Sequence, residues 1–122
     1  MKKLINLILS VLCLLIIINC EPPAVDPPVS VTGEVKYVVE CFPSGFNITY
    51  ENSTGNTQQE DIINHAWEYT FTGHRDQFVY ISAQAENEDA TISAKIYYKG
   101  NLIEEATSNG DYVIATASGS LP

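Results

Sequence analysis

Apolar and polar positions alternate in short runs along most of this chain, and the clearest pair lies between Ile62 and Ala85. Trp67, Tyr69 and Phe71 share one parity while Glu68, Thr70 and Thr72 take the other, the period of two of a half-buried strand. Val79, Ile81, Ala83 and Ala85 repeat the pattern against Tyr80, Ser82 and Gln84. The polar break Gly73-His74-Arg75-Asp76 predicts that the two runs pair as an antiparallel hairpin in the middle of a small sandwich.

Runs of the same kind flank this hairpin. Val35, Tyr37, Val39 and Cys41 face together within Glu34 to Phe42, and Pro43-Ser44-Gly45 then turns the chain into Phe46, Ile48 and Tyr50. Ser53 to Asp61 reads as a polar connection. Further on, Ile92, Ala94, Ile96 and Tyr98 mark another strand. Gly100-Asn101 and Asn109-Gly110 suit the positive φ of tight turns, which makes the last third a three-strand meander. Ser118-Gly119-Ser120 reads as a small-residue terminus. The expected fold class is all-β: an Ig-like β-sandwich of about seven antiparallel strands over residues 33–119. Its expected core is Trp67, Phe71, Phe78, Val79, Ile81, Ile92, Ile96, Tyr112 and Ile114. Truncation of a fully enclosed tryptophan costs about 3–5 kcal/mol, much of the stability of a domain this small.

Residues 1–19 break the alternation. Lys2 and Lys3 precede the almost wholly apolar Leu4 to Ile18, and Cys20 follows Asn19. This arrangement resembles the signal peptide of a bacterial lipoprotein, where the cysteine after the apolar run is lipidated and becomes the first residue. Asn19 departs from the small residue usual there. A membrane-spanning helix is the rival, but fifteen residues at about 1.5 Å each fall short of a hydrocarbon core about 30 Å thick. A leader cut by the ordinary peptidase is the other rival, and Ile18-Asn19-Cys20 offers no small-residue cleavage site. Two or three acyl chains, of the palmitate kind, hold a protein firmly where one does not. Residues 20–32 then carry Pro22, Pro23, Pro27 and Pro28, the composition of a stiff, extended tether rising about 3.1 Å per residue.

Loss of the leader removes Lys2 and Lys3, which leaves four basic against fifteen acidic side chains and a net charge of −11. Such a surface repels phosphate backbones, so nucleic acid is not an expected partner. With Cys13 in the leader and Cys20 lipidated, Cys41 is left single. Its parity makes it a small buried hydrophobe, and no neighbouring His, Lys or Arg in the sequence would activate a thiolate.

Catalytic motifs are missing from the sequence: no Gly-x-Ser-x-Gly, no phosphate loop and no cysteine pair spaced for zinc. His65 and His74 stand at opposite ends of the Trp67 strand, too far apart to share one metal ion. Glu86-Asn87-Glu88-Asp89 reads as a solvated acidic loop, with weak calcium binding the sharper alternative. No cofactor or metal is therefore expected. Asn47-Ile48-Thr49 and Asn52-Ser53-Thr54 fit the glycosylation pattern but are incidental behind a bacterial leader. Tyr80 and Tyr97 carry the parity opposite the core and are the candidate binding patch of amphipathic rings.

A series of short strings is also familiar: Ile48-Thr49-Tyr50-Glu51-Asn52, Gly55-Asn56-Thr57-Gln58-Gln59, Ala66-Trp67, Ile81-Ser82-Ala83-Gln84, Gly100 with Leu102-Ile103, Thr107 to Tyr112 with Ala115, and Ser118-Gly119. In this order they resemble the extracytoplasmic domain of the MmpS family, membrane-anchored accessory proteins that work beside lipid and siderophore exporters. Two features differ from that family: a lipoprotein-like leader where it has a transmembrane helix, and Ala66 where proline often precedes the tryptophan. The resemblance implies a non-enzymatic sandwich that assists a transporter, and no family residue is carried over as catalytic. The expectation is thus a lipid-anchored, extracytoplasmic accessory or adaptor protein of the bacterial envelope, at the outer membrane or cell surface before the inner membrane. A surface module for a small ligand or glycan is the alternative.

Overall fold

The alternating runs become eight strands: β1 (Thr32–Phe42), β2 (Phe46–Glu51), β3 (Thr57–Ile62), β4 (Ala66–His74), β5 (Phe78–Ala85), β6 (Ala90–Tyr98), β7 (Asn101–Gly110) and β8 (Ile114–Ser120). The structure, a computed structural model, describes residues 31–122, which form a compact unit of their own. The leader, Cys20 and the proline-bearing stretch as far as Ser30 lie outside the described residues.

Two four-stranded sheets stack into a sandwich, one in the order β4-β1-β6-β7 and the other β3-β2-β5-β8, with every neighbouring pair antiparallel. The parities read from the sequence decide which faces meet. Val35, Tyr37 and Val39 from β1 and Ile92, Ala94 and Ile96 from β6 turn inward from one sheet. Phe46 and Ile48 from β2 and Val79, Ile81 and Ala83 from β5 turn inward from the other, and all are essentially inaccessible. Leu121, just past β8, closes the core below, and its carbonyl accepts the Asp76 amide.

Several expectations are corrected. The Trp67 and Val79 runs do not form a hairpin: β4 is an edge strand paired with β1, whereas β5 lies inside the other sheet between β2 and β8. The chain passes between sheets there, so both apolar faces look into the core. The C-terminal meander fails for the same reason, since β7 and β8 close edges of different sheets; only β6 and β7 are a hairpin. Asn109-Gly110 ends β7, and the turn falls at Asp111-Tyr112. The polar stretch before the Trp67 run holds a strand, β3, giving eight where seven were expected. Its sequence lacks apolar alternation because it is an edge strand paired only with β2, and its inward positions Gln58 and Glu60 stay wet. Ser118-Gly119-Ser120 belongs to β8, paired with Phe78 to Tyr80.

Of the nine expected core residues, Val79, Ile81, Ile92 and Ile96 are buried. Trp67 and Phe71 are partly buried and packed against the core, while Phe78, Tyr112 and Ile114 are about half exposed. Phe78 and Ile114 stand on the outward parity of their strands, and Tyr112 sits in a turn.

All four sheet edges are free of further pairing within the described residues. Two of them are acidic, with Glu60 and Asp61 on β3 and Glu104 and Glu105 on β7.

The antiparallel register gathers the connections at two ends. Residues 43–45, 63–65, 86–89 and 111–113 all cross from one sheet to the other at one end. Val31, Leu121 and the turns at 52–56, 75–77 and 99–100 lie at the opposite end.

Candidate functional site

The end where the four cross-sheet loops meet is preformed by hydrogen bonds between them. Gly45, whose φ of +104° suits a residue without Cβ, donates to the Asn64 carbonyl and accepts from the Glu86 amide. The Asn87 side chain donates to Ser44 O at 2.8 Å, and the Tyr112 amide donates to Asn87 O at 3.0 Å. The Asp89 amide donates to Asp111 Oδ1 at 2.8 Å. Each loop is therefore tied to the next by hydrogen bonds.

Those side chains are exposed. Ile63 is 85% accessible and Phe42 71%, with Tyr112 and Ile114 at 52% each. Ile63 and Tyr112 belong to the loops, whereas Phe42 and Ile114 face out from different sheets, so the four stand at that end as separate apolar groups and not as one patch. The charges are segregated as well. Glu86, Glu88, Asp89 and Asp111 stand in the loops with Glu40 and Asp61 just below, and no lysine or arginine stands in those loops or within three residues of them. Arg75 and Lys99 lie in turns at the other end.

Beside Phe42, on the outer face of the β4-β1-β6-β7 sheet, lies a depression of about 450 Å³ lined by Glu40, Phe42, His65, Ala66, Thr91 and Ser93. Its floor follows from the register: Glu40 stands opposite Ala66 and Ser93, two small residues. Its wall is a pair of rings, Phe42 and His65, with centroids 5.8 Å apart and planes within 11°. His65 is fixed against β1, its carbonyl accepting the Cys41 amide at 2.7 Å and its Nδ1 lying 3.2 Å from Cys41 O. Cys41 turns inward and is buried; its thiol donates to Pro43 O at 3.2 Å, and burial pushes its pKa up, away from thiolate chemistry.

The residues singled out from sequence are not brought together. Tyr80 lies on the outer face of one sheet, beside Phe78, and Tyr97 on the outer face of the other, beside a groove with Glu34, Lys36 and Gly100. They form no common patch, because outward residues of stacked sheets point away from each other. His65 and His74 stand at opposite ends of β4, the latter with Nδ1 2.9 Å from Arg75 O. In the acidic loop, Asn87 and the Asp89 amide bind neighbouring loops. Among the described residues no group of three potential metal ligands is assembled. Cys20 lies outside the described residues. Sequence reasoning passed over Phe42 and Ile63. Phe42 carried a usable signal, being a large apolar residue on the outward parity of a strand directly before a turn.

Fold and loop geometry together define an all-β sandwich with one end where four hydrogen-bonded loops carry acidic and exposed apolar side chains. No family model matches the chain and no curated protein does, so the likeness to the MmpS family rests on the strings quoted above.

Proposed function

We propose that this chain is a non-enzymatic, lipid-anchored accessory or adaptor protein of the bacterial envelope, one that engages a transporter or comparable assembly through its four-loop end. One observation carries the reading: Val31, where the described domain begins, lies at the end opposite Phe42, Ile63, Tyr112 and Ile114. Attachment through the N-terminus leaves the four-loop end free for contact. The lipoprotein-like leader supports the anchor and the envelope location, and the resemblance to the MmpS family supports a transport partner. The acylated cysteine would be Cys20.

In-cell photocrosslinking tests this. A benzophenone amino acid at Ile63 or Tyr112 is expected to capture a discrete membrane-protein partner that the same group at Tyr97, toward the other end, does not. Absence of an adduct from the loop positions, or equal yield from Tyr97, refutes the reading. The second reading, recognition of a small ligand or glycan, loses the Tyr80 and Tyr97 patch and retains the depression at Phe42.

A further inference from the structure

The partner's chemistry can be read from the depression beside Phe42, given that the four-loop end is the contact surface. Three observations converge there. The Phe42 ring is 71% exposed on the outward face of β1, where the other apolar side chain is the smaller Val38. Glu40 lies two residues away on the same face, opposite Ala66 and Ser93, which bring it no counter-charge. The nearest basic residue along that ladder, Lys95, stands opposite Val38 and Glu105. On its loop side the depression is bordered by acidic groups, with Glu86, Glu88, Asp89 and Asp111 in the adjoining loops, while Lys95 follows Ser93 on the outward face of β6 on the other side.

We infer that this depression accepts an arginine side chain from a partner protein segment. A guanidinium is planar, stacks on an aromatic face and binds a carboxylate through two parallel N–H donors. Phe42, backed by the parallel His65 ring, supplies the face, and Glu40 supplies the carboxylate. Thr91 and Ser93 add hydroxyl acceptors to the lining. The arginine's methylene stem lies along Phe42, while apolar neighbours on the segment reach Ile63. The acidic loops draw such a segment toward this end and away from Arg75 and Lys99.

The test uses the full-length chain in a neutral detergent micelle and two capped peptides, Leu-Ser-Arg-Ser-Leu and the same peptide with citrulline, which keeps the shape of arginine and loses its charge. The arginine peptide is expected to bind at least ten-fold more tightly, with titration shifts at Phe42, His65, Thr91 and Ser93. Glu40→Gln abolishes the difference and Phe42→Ala lowers affinity at least five-fold. Glu34→Gln, on the same strand and face but at the far end, leaves both unchanged. Equal binding of the two peptides, binding of neither, or an equal loss from Glu34→Gln overturns the inference. A partner captured at Ile63 whose binding ignores Glu40 would sink the arginine site and leave the adaptor reading standing. An arginine site in a protein that captures nothing in cells would do the reverse.

Discussion

The hydroxyl of Tyr37, on β1 in one sheet, donates a 2.8 Å hydrogen bond to the carbonyl of Glu51, the last residue of β2 in the other. The same oxygen accepts the Tyr80 amide at 3.3 Å, so one phenol reaches across the core and joins the β2 and β5 ends. Tyr37 is fully buried, and its ring also packs edge-on against Phe71 and Tyr50. Tyr37→Phe keeps the ring and orphans both backbone groups. A loss of about 1–3 kcal/mol is expected, read as a lower urea midpoint at unchanged slope. An unchanged midpoint would mean that water replaces the bond.

Alkaline stability follows from the same cluster. Burial, first among the causes, pushes Tyr37 and Tyr50 up to about 12 from the usual 10, and the Glu60 carboxylate beside the Tyr50 hydroxyl adds to the second shift. A group whose folded pKa is raised contributes stability that is complete below its unfolded pKa and disappears as pH climbs through the folded one. Thermal unfolding temperature is therefore expected to fall between pH 10 and about 12, and Tyr37→Phe should flatten that fall. A flat profile across this window would contradict the tyrosine assignment.

Trp67 lies on the inner face of edge strand β4, its ring 5.0 Å from Tyr50 and parallel to Tyr69, yet it is only partly enclosed. Trp67→Ala should cost about 2 kcal/mol, below the 3–5 kcal/mol typical of a fully enclosed tryptophan. Chemical denaturation distinguishes the two magnitudes.

Gly73 is a sharper packing constraint. A Cβ there would come within 2.7 Å of both Leu121 Cδ1 and Val35 Cγ2, two buried side chains with no room to retreat. Gly73→Ala is expected to destabilise by about 1–3 kcal/mol through overpacking. Calorimetry showing no loss would mean that the chain end carrying Leu121 yields freely.

For the anchor, Cys20→Ala should move the protein from the membrane fraction to the soluble fraction of a cell lysate. Retention in the membrane pellet after a carbonate wash would exclude lipidation as the tether.

Much of the architecture was legible because strands buried on one face write a period of two, and the inward residues of β1, β2, β5 and β6 follow it without exception. Pairing was less legible. Alternation reports that a face is buried and leaves open whether its cover lies beside it in one sheet or across the core, so the pattern of β4 and β5 equally suits a hairpin. β3 was lost because Thr57-Gln58-Gln59-Glu60-Asp61 buries nothing and is a strand only through its ladder with β2. The Tyr80 and Tyr97 patch failed for a related reason: shared outward parity says nothing about which sheet a residue leaves. The loop surface depends on four turns meeting, which one-dimensional spacing does not record. Phe42 alone announced it, as an oily side chain where a polar one belonged.

Open sheet margins are templates on which another copy can zip, the route to fibrous aggregates. Here Glu60 and Asp61 line one margin and Glu104 and Glu105 another, so two molecules sliding together along either would bring like charges into register. Like charge at those two margins therefore disfavours strand-by-strand growth between copies.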